Sequence, residues 1–136
     1  MKYGLALLLL IVTVATSGQD TIVVPEQQPV QIPALPTVHL ELKDLVDILT
    51  EYAIVEETSA FFCGHFYGLT DFDSRAIHIC GNYDQTAKRK TVIHESLHII
   101  YYKHGIFTGG PYEAVIDKMA QEISVKLYGF PAPIEN

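Results

Sequence analysis

The stretch "TVIHESLHIIYYKHG", residues 91–105, carries two histidines four positions apart with a glutamate directly after the first. On an α-helix, residues i and i+4 lie one turn apart on one face, so the imidazoles of His94 and His98 can reach a single metal ion. Glu95 sits beside them, placed to act on a water held by that ion rather than to ligate it. Ile93, Leu97 and Ile100 form a neighbouring apolar stripe that would bury one side of the helix. Gly105 stands where a glycine commonly closes a helix. The pattern predicts a helix over about residues 89–104.

Histidines at this spacing beside a glutamate also fit a plain half-exposed helix face, and a catalytic zinc needs a third protein ligand. The segment "GGPYEAVIDKMAQEIS", residues 109–124, offers one. Pro111 suits the first turn of a second helix, expected over about 111–128, with Glu113 close behind it. The ordinary role of Glu113 is a carboxylate that stabilises the positive end of the helix dipole. Asp117 lies one turn later on the same face, where it could hydrogen-bond the far nitrogen of a ligating histidine. Glu122 is the rival ligand, but it points elsewhere around the helix and has no acidic partner a turn later. Glu113 is therefore favoured.

His94-Glu95-x-x-His98 followed by Glu113-x-x-x-Asp117 resembles the zincin metallopeptidases of the gluzincin type. The run from "TVIHESLH" to "YEAVIDKMAQEI" looks most like the very short proteins of bacteria and phages that carry this motif. In those, a glycine-containing loop joins the metal helix to a helix patterned like Glu113, Ile116, Met119 and Ala120 here. The likeness covers about residues 88–128. It implies one zinc ion on His94, His98 and Glu113, with Asp117 bracing a histidine and Glu95 as general base. It further implies a peptide or protein substrate held as an added strand on a sheet edge, with "RAIHIC" the expected edge. The oxyanion would need a further donor, and Tyr101, Tyr102, Tyr112, His78 and His104 are equal candidates. Only fourteen residues separate His98 from Glu113, fewer than in the large thermolysin-like members. "GIFTGG" must therefore make a tight turn.

Upstream, "FFCGHFYG" and "RAIHICGN" flank the turn-like "LTDFDS" and read as antiparallel strands of a hairpin, rich in aromatic and β-branched residues. They hold the two cysteines, Cys63 and Cys80. A matched pair in an oxidising compartment reads as one disulfide, contributing roughly 3 kcal/mol to a small domain. A structural zinc on Cys63, His65, His78 and Cys80 is the sharper alternative, although C-x-H is not a usual zinc spacing; free thiols are the third. His39 and His65 otherwise read as ordinary surface or packing residues.

Further upstream, "VHLELKDLVDILTEYAIVEE" (38–57) places Leu42, Leu45, Val46, Leu49 and Ala53 at helical spacing. Residues 82–90, "NYDQTAKRK", read as a polar connection. The segment 18–37 is an extended, proline-rich strap. Residues 1–17 read as a signal peptide: one lysine, about a dozen apolar residues, then a small-x-small site at Ala15-Thr16-Ser17. This core is short for a membrane span, so a secreted or periplasmic location is expected, with an uncleaved membrane anchor as the alternative.

The whole is expected to be an α+β chain with a single zincin-like domain over 38–136. It would comprise an N-terminal helix, a hairpin or small sheet, the metal helix and a C-terminal helix. The formal charge of −7, with basic residues scattered apart from 88–90, argues against nucleic acid as a partner. Membrane contact is expected only through an uncleaved signal segment. The favoured function is a zinc-dependent peptidase. A catalytically silent zincin-like binding module, or a disulfide-stapled interaction protein without metal, are the other two readings.

Overall fold

The computed structural model of the protein describes residues 31–129. The signal segment at 1–17, residues 18–30 of the strap and residues 130–136 lie outside the described residues. The elements run α1 (Leu42–Glu51), β1 (Ala53–Glu57), α2 (Ala60–His65), β2 (Gly68–Asp71), β3 (Ala76–Cys80) and α3 (Gln85–Lys103). A 3₁₀ turn (Gly110–Tyr112) then leads into α4 (Glu113–Tyr128). The class is α+β, with one three-stranded sheet in the order β1-β3-β2. Among the described residues, no helix is long and apolar enough to cross a membrane.

The helix expected over 38–57 is shorter. It starts where Glu41 N–H donates to the Asp44 carboxylate at 2.8 Å, half of a capping box. It ends at Tyr52, whose backbone is extended, and Ala53 N–H passes to the Arg75 carbonyl at 2.9 Å. The β-branched Ile54 and Val55 then continue as β1, parallel to Ile77 and His78 of β3. Ile48 anchors α1 in the core with Leu45 beside it, whereas Leu42, Val46 and Leu49 face solvent.

"FFCGHFYG" is not a strand. The Ser59 hydroxyl caps it by accepting from Phe62 N–H at 3.1 Å, and residues 60–65 form α2. The hairpin is real, but its first strand is β2, antiparallel to β3 with Gly68 opposite Ile79 and Asp71 opposite Ala76. Its turn is closed by Asp71 Oδ1, which accepts from the N–H groups of Asp73 and Ser74. A disulfide joins Cys63 of α2 to Cys80 at the end of β3, with Cα atoms 5.1 Å apart. The structural-zinc alternative therefore falls. Its sulfurs are bonded to each other, His65 Nδ1 sits 2.7 Å from the Phe61 carbonyl, and His78 Nδ1 sits 2.7 Å from Glu57.

"RAIHIC" is also not the sheet edge. Residues 76–80 form the central strand β3, paired with β1 on one side and β2 on the other. Burial on both faces explains its near-continuous apolar run. β2, paired on one side only, is an edge.

The "NYDQTAKRK" connection is largely helix, because the Asp84 carboxylate caps α3 by accepting from Ala87 N–H at 2.8 Å. α3 buries two faces. Ile99 and Ile100 pack with Ile48, Tyr52, Ile77 and Ile79, while Ile93, Leu97 and Tyr101 pack with Ile116 and Ala120 of α4. Leu35, Val38 and Leu40 lie against this core. Gly105, at φ +74°, ends α3, with Ile106 N–H returning to the Tyr101 carbonyl at 2.9 Å. The chain then reverses through 106–109, and α4 packs along α3.

Candidate metal centre

α3 sets His94 and His98 one turn apart, and their Nε2 atoms approach to 3.0 Å. Glu113, the first residue of α4, faces both. Its Oε2 lies 3.1 Å from His94 Nε2 and its Oε1 3.4 Å from His98 Nε2. One ligand atom from each of the three residues falls within a 4.8 Å cluster, so together they can hold a metal ion. The 3₁₀ turn at Gly110–Tyr112 makes this possible, because it delivers Glu113 at the start of α4 opposite the histidines.

The far side of each imidazole is occupied. His94 Nδ1 lies 3.4 Å from Asp117 Oδ1, and His98 Nδ1 lies 2.6 Å from the hydroxyl of Thr108. These partners turn both Nε2 atoms toward Glu113 and leave them as the coordinating nitrogens. Thr108 is buried, so it holds His98 firmly. Asp117 is shared, with Lys90 Nζ 3.0 Å from both its oxygens. Two imidazole nitrogens plus one carboxylate, each histidine braced from behind, is a donor set that can hold a metal ion. Burial, then the neighbouring His94, lowers the pKa of His98, which favours the neutral, ligating form.

Glu95 is 7% exposed and accepts the Thr70 hydroxyl on Oε2 at 2.7 Å. Burial raises its pKa, and the Thr70 hydrogen bond works against that rise. Such a carboxylate holds its proton more readily than a solvated one. β2 reaches Glu95 because it packs tightly on α3 at Gly68. A Cβ there would stand 2.6 Å from Thr91 Cγ2 and 2.8 Å from Glu95 Oε1.

All these groups line one groove of about 1150 Å³ between β2, α3, the 106–109 loop and α4. Glu122 is absent from it. The rival ligand lines a separate groove with Leu40, Leu97 and Met119, so it does not reach the histidines. Of the five oxyanion candidates, Tyr102 is the one that lines the groove. Tyr101 is buried with its hydroxyl toward the Met119 sulfur at 3.9 Å, and His78 is engaged by Glu57.

Thr70, Thr108, Gly68 and Lys90 escape a reading of the sequence. Lys90 lies one turn before His94 on the helix, a spacing that could have marked it. The two threonines carry no local signal, because their partners lie 25 and 10 residues away in sequence.

No protein-family model matches the chain, and neither does any curated protein or solved structure.

Proposed function

We propose that this chain is a zinc-dependent peptidase. The observation that carries the reading is the convergence of His94, His98 and Glu113 with a buried glutamate, Glu95, directly beside them. His94, His98 and Glu113 would hold the ion, with Asp117 and Thr108 orienting the imidazoles. When bound, zinc acts as a Lewis acid that brings the pKa of its water toward neutrality.

Glu95 takes the proton of the attacking water and passes it to the departing amine. Oε1 is the atom for this work, since Oε2 holds the Thr70 hydroxyl. The free edge of β2 offers backbone N–H and C=O groups along the groove, and an extended peptide pairs with these as an added strand. Tyr102 is the candidate donor to the developing oxyanion. The disulfide and the apolar leader favour an oxidising compartment outside the cytoplasm as the workplace.

The deciding experiment measures zinc content and hydrolysis of a quenched peptide library on the same preparations. The wild-type chain should carry about one zinc, lost in His94→Ala and Glu113→Ala and retained in Glu122→Ala. Glu95→Gln should keep zinc and lose hydrolysis. Zinc retained in Glu113→Ala, or hydrolysis unchanged in Glu95→Gln, overturns the assignment. Zinc bound with no hydrolysis by the wild type leaves a silent metal-binding module instead.

A further inference from the structure

The groove is chemically different at its two ends. β2 runs alongside α3, with Gly68 against Thr91 and Glu95 and Thr70 bonded to Glu95, and Phe72 in the turn that follows lies tilted against Tyr102 with ring centroids 4.5 Å apart. One end therefore holds Lys90, Asp117 and Gln121 beside Phe66 and Tyr67, and the other holds Phe72, Tyr102, Ile106 and Phe107 with no charged lining residue among them. The second end is apolar yet open: Tyr102 is 56% and Phe107 79% exposed. Phe107 does not pack into the core. Its ring lies across Gly109, where a Cβ would stand 2.8 Å from it, and it lines the groove.

We infer that the end formed by Phe72, Tyr102 and Phe107 is a seat for a bulky apolar or aromatic side chain of the substrate peptide. This inference rests on the peptidase reading for the word substrate, but the seat itself needs only the groove. Large aromatics gathered in the open at the mouth of a cleft mark a binding surface, because isolated exposure is common while a contiguous patch is not. Tilted rings offer faces and edges to a further ring. The position fits a strand-like ligand. Phe72 opens the turn directly after β2, two residues past Thr70, so a peptide paired to β2 with a carbonyl at Glu95 carries a neighbouring side chain toward this end.

Charge narrows the choice. Glu95, Glu113 and Asp117 line the groove, and Lys90, its one fixed cation among the described residues, is held by both Asp117 oxygens. An acidic side chain finds no free partner there, whereas an uncharged ring does.

The chain contains no tryptophan, so a tryptophan-bearing peptide reports its own binding by fluorescence. The probe is acetyl-Ala-Ala-Trp-Ala-Ala-amide, with alanine or glutamate at the central position as competitors. The protein is the full-length Glu95→Gln variant, which prevents turnover. The tryptophan probe should shift its emission to the blue and bind at least about tenfold tighter than either competitor. Phe107→Ser and Tyr102→Ser should each weaken it about fivefold, with circular dichroism unchanged. Equal affinity for the three peptides overturns the seat, and so does undiminished binding in both serine variants. Displacement of the probe by chito-oligosaccharide but not by phenylalanine peptides also overturns it, assigning the rings to sugars. The two proposals fail separately. Selective binding without wild-type hydrolysis sinks only the peptidase reading, and hydrolysis indifferent to this side chain sinks only the seat.

Discussion

Thr70, on the edge strand β2, donates its hydroxyl to Oε2 of Glu95 at 2.7 Å. The strand that would pair with a peptide and the group that would take the proton are thus fixed to each other by one hydrogen bond. That bond stabilises the carboxylate and opposes the rise that burial imposes on its pKa. Thr70→Val removes the donor, so the pKa of Glu95 rises further. Because the base acts deprotonated, the acid limb of the kcat/KM profile should move to higher pH. A lost hydrogen bond to a charged group predicts a fall in kcat of roughly tenfold, with KM little changed. Thr70→Ser should restore both. An acid limb that stays in place in Thr70→Val would count against Glu95 as the base.

Gly68 sets how close β2 comes to α3. Its missing Cβ would fall 2.6 Å from Thr91 Cγ2 and 2.9 Å from Glu95 Cγ, and both belong to a packed helix that cannot easily give way. Gly68→Ala should cost about 1–3 kcal/mol by overpacking and should displace Glu95. Thr91→Ser deletes one of the clashing atoms, so the double variant should recover part of the loss. Thermal denaturation of the four proteins in this cycle reads the coupling. Strict additivity would show that the contact is not where the strain lies.

Thr108 bonds the back of His98 at 2.6 Å while buried at 3% exposure. Partners of this kind typically hold ten- to a hundredfold in metal affinity, so Thr108→Val should lower zinc affinity by roughly that factor. Thr108→Ser should keep it. Competition against a chromophoric chelator measures this without reference to turnover. Equal affinity in Thr108→Val would mean that packing alone orients His98.

The parts legible in the sequence are those set by local periodicity. His94 and His98 share a face because of helical spacing, and Glu113 follows a proline suited to a helix start. Cys63 and Cys80 are the only two cysteines. The parts that were not legible depend on partners distant in sequence. Ala53–Glu57 reads as the tail of a helix until β3 is there to pair with it. Ala60–His65 is aromatic enough to read as a strand, yet Ser59 caps it and the disulfide holds it as a helix. β3 looks like an edge until β1 is recognised as a strand, and that one error moved the expected peptide edge from β2 to β3. The bonds of Thr70 and Thr108 exist only once the groove has closed.

The Cys63–Cys80 bond should matter more for α2 than for the core. No residue of α2 is buried, yet His65 and the following Phe66 wall the groove. With the cysteines 17 positions apart, loss of the bond should cost roughly 3 kcal/mol. Chemical denaturation of the Cys63→Ala/Cys80→Ala variant measures that cost. Hydrogen exchange in the same variant should speed up first at amides 60–67, ahead of α3. A denaturation midpoint equal to that of the oxidised protein would show that local caps suffice.

Asp71 gives the hairpin a dependence on pH. Hydrogen bonds from the side chain and backbone of Ser74, then the backbone N–H of Asp73, hold its pKa below the ordinary 3.8. The folded value lies under the unfolded one, so this carboxylate stabilises the fold above the unfolded pKa. That contribution fades as pH falls from 3.8 through the lower folded value. Asp71→Asn keeps an acceptor for the turn but cannot titrate, so its melting temperature should fall less between about pH 5 and pH 2.5 than that of the wild type. Asp71→Ala loses the acceptor and should melt lower throughout. If the wild type and Asp71→Asn lose stability in parallel on acidification, the pH dependence belongs to other carboxylates. The turn at Asp71 would then close the hairpin by hydrogen bonding alone, without drawing on its charge.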